Sequence, residues 1–291
     1  MTVSTVSMER ATATQVKPKI GCQLIVFAQR EEEDLRGVLA AVREAGFDGV
    51  ETHILQEGNA AAVRTALDEF GLVQWSLAIG YHQCVDGINQ VIDYAKGLGS
   101  KFIMVSGVGD HQTRSLRAYE TAADLFNRLG ARCRTAGVTF CYHNHSWEFQ
   151  EYDGVTGLER LYELTDPDLV KACVDVFWVQ HSGRDPVQFL QQYHDRIGYV
   201  HLKDLRYVGP EPRRKGILAG GLDLGPRRYA TIMTEAEFRE LGTGEVNFPG
   251  IWEVLRPLNS PWVVYEQDRA TLPPAEAAAI SRRYLQNTLG I

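Results

Sequence analysis

Four short stretches of this 291-residue chain each end an apolar run on a side chain able to hold a metal ion: FCYHNH (140–145), ACVDV (172–176), YVHLKD (199–204) and VVYEQD (263–268). Side chains alternate between the two faces of a strand, so each stretch can be tested for a common direction. Thr139, Cys141, His143 and His145 share one face, and Cys173 aligns with Asp175. Tyr199, His201 and Lys203 align, as do Val264, Glu266 and Asp268. The opposite faces carry Phe140, Tyr142, Ala172, Val174, Val200, Leu202, Val263 and Tyr265. Four strands thus aim carboxylate or imidazole groups the same way at their last turn. Such groups are costly to bury unless they are paired or bound to a cation, and one divalent ion would satisfy two carboxylates and two imidazoles together. Mixed oxygen and nitrogen ligands without thiolate suit Mn²⁺, with Mg²⁺, Co²⁺, Fe²⁺ or Zn²⁺ as options.

Positioning these residues requires strands that converge. From Lys19 onward, short apolar runs alternate with longer amphipathic stretches, the pattern of repeated βα units. Strands are expected near 20–26, 47–52, 72–79, 101–106, 138–144, 169–175, 197–203 and 261–267. Helices are expected near 31–45, 58–70, 83–98, 113–136, 155–164, 185–193, 249–256 and 273–288. Glycines in REAGF (43–47), DEFGL (68–72) and RTAGV (134–138) read as left-handed ends of helices. Eight units in this length predict a single-domain (β/α)8 TIM barrel over residues 18–291, preceded by a flexible N-terminal tail at 1–17. One long loop, 206–249, follows strand seven on the face where barrel enzymes place their chemistry, and is read as a lid or a surface insertion. Its Arg213, Arg214, Arg227 and Arg228 are phosphate-binding candidates or solvated charges.

Composition narrows the function classes. The net charge is −7 and the pI about 5.7, with no basic stripe to neutralise phosphates, which argues against nucleic acid and anionic membranes as partners. No apolar run is long enough to span a bilayer. Five cysteines at 22, 84, 133, 141 and 173 form no C-x-x-C pair and leave an odd count, which points to a reducing cytoplasm. A small molecule is the expected partner.

Across nearly its whole ordered length the chain resembles the xylose isomerase-like TIM barrels, the sugar phosphate isomerase/epimerase superfamily. The resemblance rests on GVET (49–52), YHNHSWEF (142–149), DVFWVQHSGRDP (175–186), HLKD (201–204), GTGEVNF (242–248) and VVYEQD. It implies a divalent-metal enzyme whose ligands are His143, Asp175, His201 and Glu266, and a homo-oligomer. Ketose epimerases of the superfamily carry glutamate at the position of His143, where it serves as one of two opposed acid/bases, and a metal-bound imidazole cannot move a proton that way. The YHNH arrangement is more similar to inosose dehydratase, although Trp178 stands where dehydratase-like sequences have a polar residue in a DTGH motif.

The expected chemistry is enolisation of a keto-sugar or keto-inositol by proton abstraction next to a polarised carbonyl. Candidate bases are His145, Lys203 and Glu266, with Lys203 alternatively an ion-pair partner of Glu51 or Asp175. Gln23, Glu51, Trp147, Glu148, Trp178 and Arg206 are candidate substrate contacts. The same enediolate leads to an isomerase or epimerase, or to a dehydratase or other lyase. A catalytically inactive sugar-binding or interaction barrel is the non-enzymatic alternative.

Overall fold

The computed structural model describes residues 17–109, 115–208, 236–258 and 262–291. Eight parallel strands close into a barrel: Lys19–Gln23, Gly49–Thr52, Val73–Gly80, Phe102–Ser106, Thr139–His143, Val170–Asp175, Ile197–Leu202 and Trp262–Tyr265. They are called strands one to eight, and strand one closes the ring by pairing with strand eight. The expected (β/α)8 architecture is therefore the observed one, with helices packed around the outside.

The period-two pattern sorts the side chains as anticipated. Phe140, Tyr142, Ala172, Val174, Val200, Leu202, Val263 and Tyr265 join the large apolar layer between strands and helices. Cys141, Cys173, Tyr199 and Val264 turn inward and pack with Trp75, Met104 and Trp262 in a second core that fills the barrel. Trp75 and Trp262 stack there at 4.6 Å between ring centroids. Room for them comes from small residues: a Cβ on Gly49 would lie 2.3 Å from the Val73 carbonyl oxygen and 2.8 Å from the Trp262 ring. With the barrel packed at this level, a ligand must enter at the C-terminal rim one turn above it. Register brings the rim residues level, since Asp175 pairs with His201, His201 with Val264, and Gln23 with Glu51.

Several elements are shorter than the sequence pattern implies. Strand one stops at Gln23, whose side chain caps a 3-10 turn at Leu24–Phe27, and the chain then reverses through left-handed Ala28 and Gln29. The helix expected over 31–45 divides at Asp34, whose carboxylate accepts the Gly37 N–H at 2.9 Å and starts the second piece, Leu35–Ala45. That over 83–98 divides at Gly87 into Tyr81–Asp86 and Ile88–Leu98. A short helix, Val176–His181, starts directly on the Asp175 cap. Gly46, Gly71 and Gly137 do adopt positive φ, at 93°, 62° and 77°.

After strand seven, Asp204–Tyr207 pairs antiparallel with Ala236–Arg239. The Asp204 carboxylate then gathers the returning chain, accepting N–H groups from Gly242, Gly244 and Val246 at 2.9 to 3.1 Å. HLKD and GTGEVNF thus form one unit, and a Cβ on Gly244 would lie 2.3 Å from Asp204 Oδ1. The middle of the long connection, 209–235, with its four arginines, lies outside the described residues, as do 1–16 of the expected tail.

Candidate metal centre

His143, Asp175, His201 and Glu266 lie within one residue of the C-terminal ends of strands five to eight, and each is buried. Each offers one ligand atom, and these atoms lie within 4.8 Å of one another. Cys173 adds a sulfur near the two imidazoles, at 3.8 Å from His143 Nδ1. Burial raises the Cys173 thiol to about 11, so it stays protonated and is a poor ligand beside two carboxylates.

Electrostatics at this spot favour a cation. Asp175, Glu266 and Asp268 surround the buried Lys203 ammonium at 3.2, 3.1 and 2.6 Å. Phe177, Trp178 and Phe238 close over it, with Trp178 at 4.9 Å to the ring centroid. Glu51 adds a fourth buried carboxylate, 3.0 Å from His201 Nε2. Burial opposes a charge on His201, yet Cys173 and the carboxylates of Glu51 and Glu266 outweigh it and hold its pKa well above the ordinary imidazole value. His143 differs: burial, with His145 and His201 beside it, keeps the imidazole neutral, the form a metal ligand requires.

Whether a divalent ion fits can be tested on atoms left without partners. His201 Nδ1 meets Glu266 Oε2, yet neither atom has a partner in hydrogen-bond geometry, and both are buried. Such atoms are costly to bury, and an ion held by both side chains would satisfy them. Asp175 is half committed already, since Oδ1 accepts the Trp178 N–H at 3.2 Å and Oδ2 faces Lys203. Its carboxyl is raised to about 7, by burial first, with Lys203 opposing. The donor set therefore fits an ion bound by two carboxylates and two imidazoles, with the His201 proton given up as the ion binds.

A cavity of about 360 Å³ opens onto this cluster. Gln23, His143, His145 and Glu266 of the anticipated residues line it, joined by Ile25, Gln29, Glu31, His53, Gln83, Met104, Ser106 and Asp268. His145 stacks on Trp147 at 3.9 Å, so the ring is held edge-on to its neighbour His143.

Other anticipated contacts do not line the cavity. Glu51 is fully buried and accepts the Tyr199 hydroxyl at 2.5 Å, a hydroxyl that also meets Ser76. Its position beneath His201 makes it an orienting carboxylate for that ring. Glu148 is fully buried as well, accepting Tyr142 O–H and His145 N–H at 2.8 Å each, which fixes the bend between strand five and the following turn. Trp178 covers Lys203. Arg206 is exposed and donates to the Thr243 carbonyl oxygen at 2.6 Å. Lys203 pairs with Asp175 but not Glu51, and the carboxylates around it raise its pKa well above 10.5 despite burial. A lysine held as a cation is unsuited to accept a proton. Glu31, His53 and Asp268 escaped notice as cavity residues because two of them sit on loops after strands one and two, where the strand pattern carries no information.

The sequence pattern of the xylose isomerase-like TIM barrels matches residues 39–288. An inosose dehydratase of Lacticaseibacillus casei is 28% identical, over 68% of this chain and 68% of that protein. An inosose dehydratase of Geobacillus kaustophilus is 26% identical, over 85% of each chain. A sugar phosphate isomerase/epimerase from Parabacteroides distasonis shares the fold with a TM-score of 0.72 at 19% identity, over 97% of this chain and 99% of that one. With both the pattern and the barrel in agreement, the chain belongs to the xylose isomerase-like TIM barrel family.

Proposed function

We propose that this protein is a divalent-metal-dependent enzyme that enolises a keto-sugar or keto-inositol, with dehydration as the favoured outcome. The observation that carries the reading is the convergence of ligand atoms from His143, Asp175, His201 and Glu266 within 4.8 Å of one another, with His143 and Glu266 lining the cavity. An ion held there, Mn²⁺ by donor chemistry, supplies a Lewis acid for a substrate carbonyl.

His145 is the proposed base. It lines the cavity two residues beyond His143, and Trp147 and Glu148 hold it in place. It takes the proton from the carbon next to the carbonyl; the C–H electron pair forms a C=C bond, and the carbonyl oxygen gains the charge. Lys203 orients Asp175 and Glu266 and opposes the effect of burial on both carboxyls. Asp268 reaches the cavity beside Glu266 as a carboxylate paired with Lys203, and the proton that His145 has taken from carbon is the one handed to a departing hydroxyl. Loss of that hydroxyl as water gives a dehydratase, whereas return of the proton to carbon gives an isomerase or epimerase. The similarity to two inosose dehydratases over 68% and 85% of the chain supports the first outcome. The acidic net charge and the small cavity support a sugar or cyclitol as partner, five free cysteines support a reducing cytoplasm, and no described helix is long and apolar enough to cross a membrane.

The test is incubation of Mn²⁺-loaded protein with inososes and keto-sugars in D₂O, followed by proton NMR. Loss of the α-proton signal with appearance of a dehydrated product is expected. A protein that binds these compounds but exchanges no proton is a binding barrel, and the proposal fails. In an active protein, His145→Gln lowers exchange at least a hundredfold with metal still bound, the usual scale for a general base.

A further inference from the structure

The cavity has a second polar wall on the loops that follow strands one and two. The left-handed residues Ala28 and Gln29, with φ of 54° and 66°, turn the chain back so that Gln29 and Glu31 both reach the cavity. Glu31 is only 1% exposed, and its Oε2 is buried with no hydrogen-bond partner. Its Oε1 lies 3.9 Å from His53 Nδ1, while His53 Nε2 is 2.7 Å from Glu32 Oε1. Two amides line the same cavity as this carboxylate. Gln23 Oε1 accepts the Ile25 N–H and Gln83 Oε1 accepts the Gly80 N–H, each at 2.8 Å, which leaves their NH₂ groups to donate.

One acceptor and two donors lining a cavity of about 360 Å³ complement the hydroxyl groups of a ring. A buried carboxylate oxygen without a partner is costly, a penalty that a bound hydroxyl removes. We infer that Glu31, oriented by His53, is a specificity residue that accepts a hydrogen bond from a substrate hydroxyl remote from the carbonyl, with the Gln23 and Gln83 amides donating to its neighbours. Burial raises the Glu31 pKa, against its own backbone N–H and His53. The inference rests on the reading of the cavity as a keto-sugar or keto-inositol site.

Calorimetric binding of scyllo-inosose and its monodeoxy analogues to Mn²⁺-loaded protein tests it. The wild type is expected to prefer the inosose over one particular deoxy analogue by about 10- to 100-fold, the value of a hydrogen bond to a charged group. Glu31→Gln should bring that ratio close to one while the metal content stays unchanged. Should Glu31→Gln lower the melting temperature enough to compromise binding, His53→Gln, at a half-exposed position, reads the same wall and should narrow the ratio several-fold. Equal ratios in wild type and variants, or no inosose binding by the wild type, overturn the inference. A wild type that shows the ratio but exchanges no α-proton supports the hydroxyl site and refutes only the catalytic reading.

Discussion

Replacing Glu148 by glutamine tests whether the turn that carries His145 is held by a strained carboxyl. Glu148 is fully buried, and burial raises its pKa from 4.5 to about 7, although bonds from Tyr142, its own backbone, His145 and Trp147 pull the other way. In the unfolded chain the same group titrates near 4.5. Between those two values the folded state keeps a proton that the unfolded state has released, so stability falls as pH rises through the window. The loss amounts to about 3 kcal/mol and is complete above pH ~7. Glutamine keeps the shape and cannot titrate, so Glu148→Gln should lack this slope. Urea unfolding of metal-free wild type and variant at half-unit steps from pH 4.5 to 8 measures the difference. The wild type should lose about 3 kcal/mol relative to the variant across that range, then run parallel to it. A difference that stays constant within about 0.5 kcal/mol would show that burial does not govern this carboxyl, and the account of the turn would fall.

His201→Ala and Glu266→Ala should each abolish stoichiometric Mn²⁺ binding, measured by elemental analysis, while circular dichroism still reports a folded barrel; full metal in both rejects the ligand set. Lys203→Met leaves Asp175, Glu266 and Asp268 without their shared cation, so metal-free protein should lose about 3–5 kcal/mol in urea unfolding, and added Mn²⁺ should recover a share of it. Gly49→Ala forces a Cβ to within 2.3 Å of the Val73 carbonyl oxygen and should destabilise by about 1–3 kcal/mol or more without touching metal stoichiometry in the protein that folds. An unchanged unfolding midpoint in that variant would mean that strands two and three separate at little cost.

The barrel was legible in the sequence because period-two alternation and helix-ending glycines are local properties of the chain. Cys141 with His143, Cys173 with Asp175 and Tyr199 with His201 share faces whatever their partners, so the inward direction of the rim residues followed from parity alone. Strand and helix ends were harder to read, since Gln23 capping its own turn and Asp34 or Gly87 dividing a helix depend on single hydrogen bonds and dihedral angles. The fate of Glu51, Glu148 and Arg206 was not written locally either. Each was expected to contact substrate, but whether a carboxylate faces the cavity or a buried tyrosine is set by what packs behind it.

Residue types and their alternation thus determined the fold, the face and the set of groups able to hold a cation. Tertiary structure alone decided which groups meet: that Lys203 is locked among three carboxylates, that Glu51 lies under His201, and that loops after the first two strands bring Glu31 and His53 into the same cavity. The reason is range. Alternation acts over neighbouring residues, whereas barrel closure joins strand one to strand eight and so sets distances between groups that lie more than 200 positions apart in the chain.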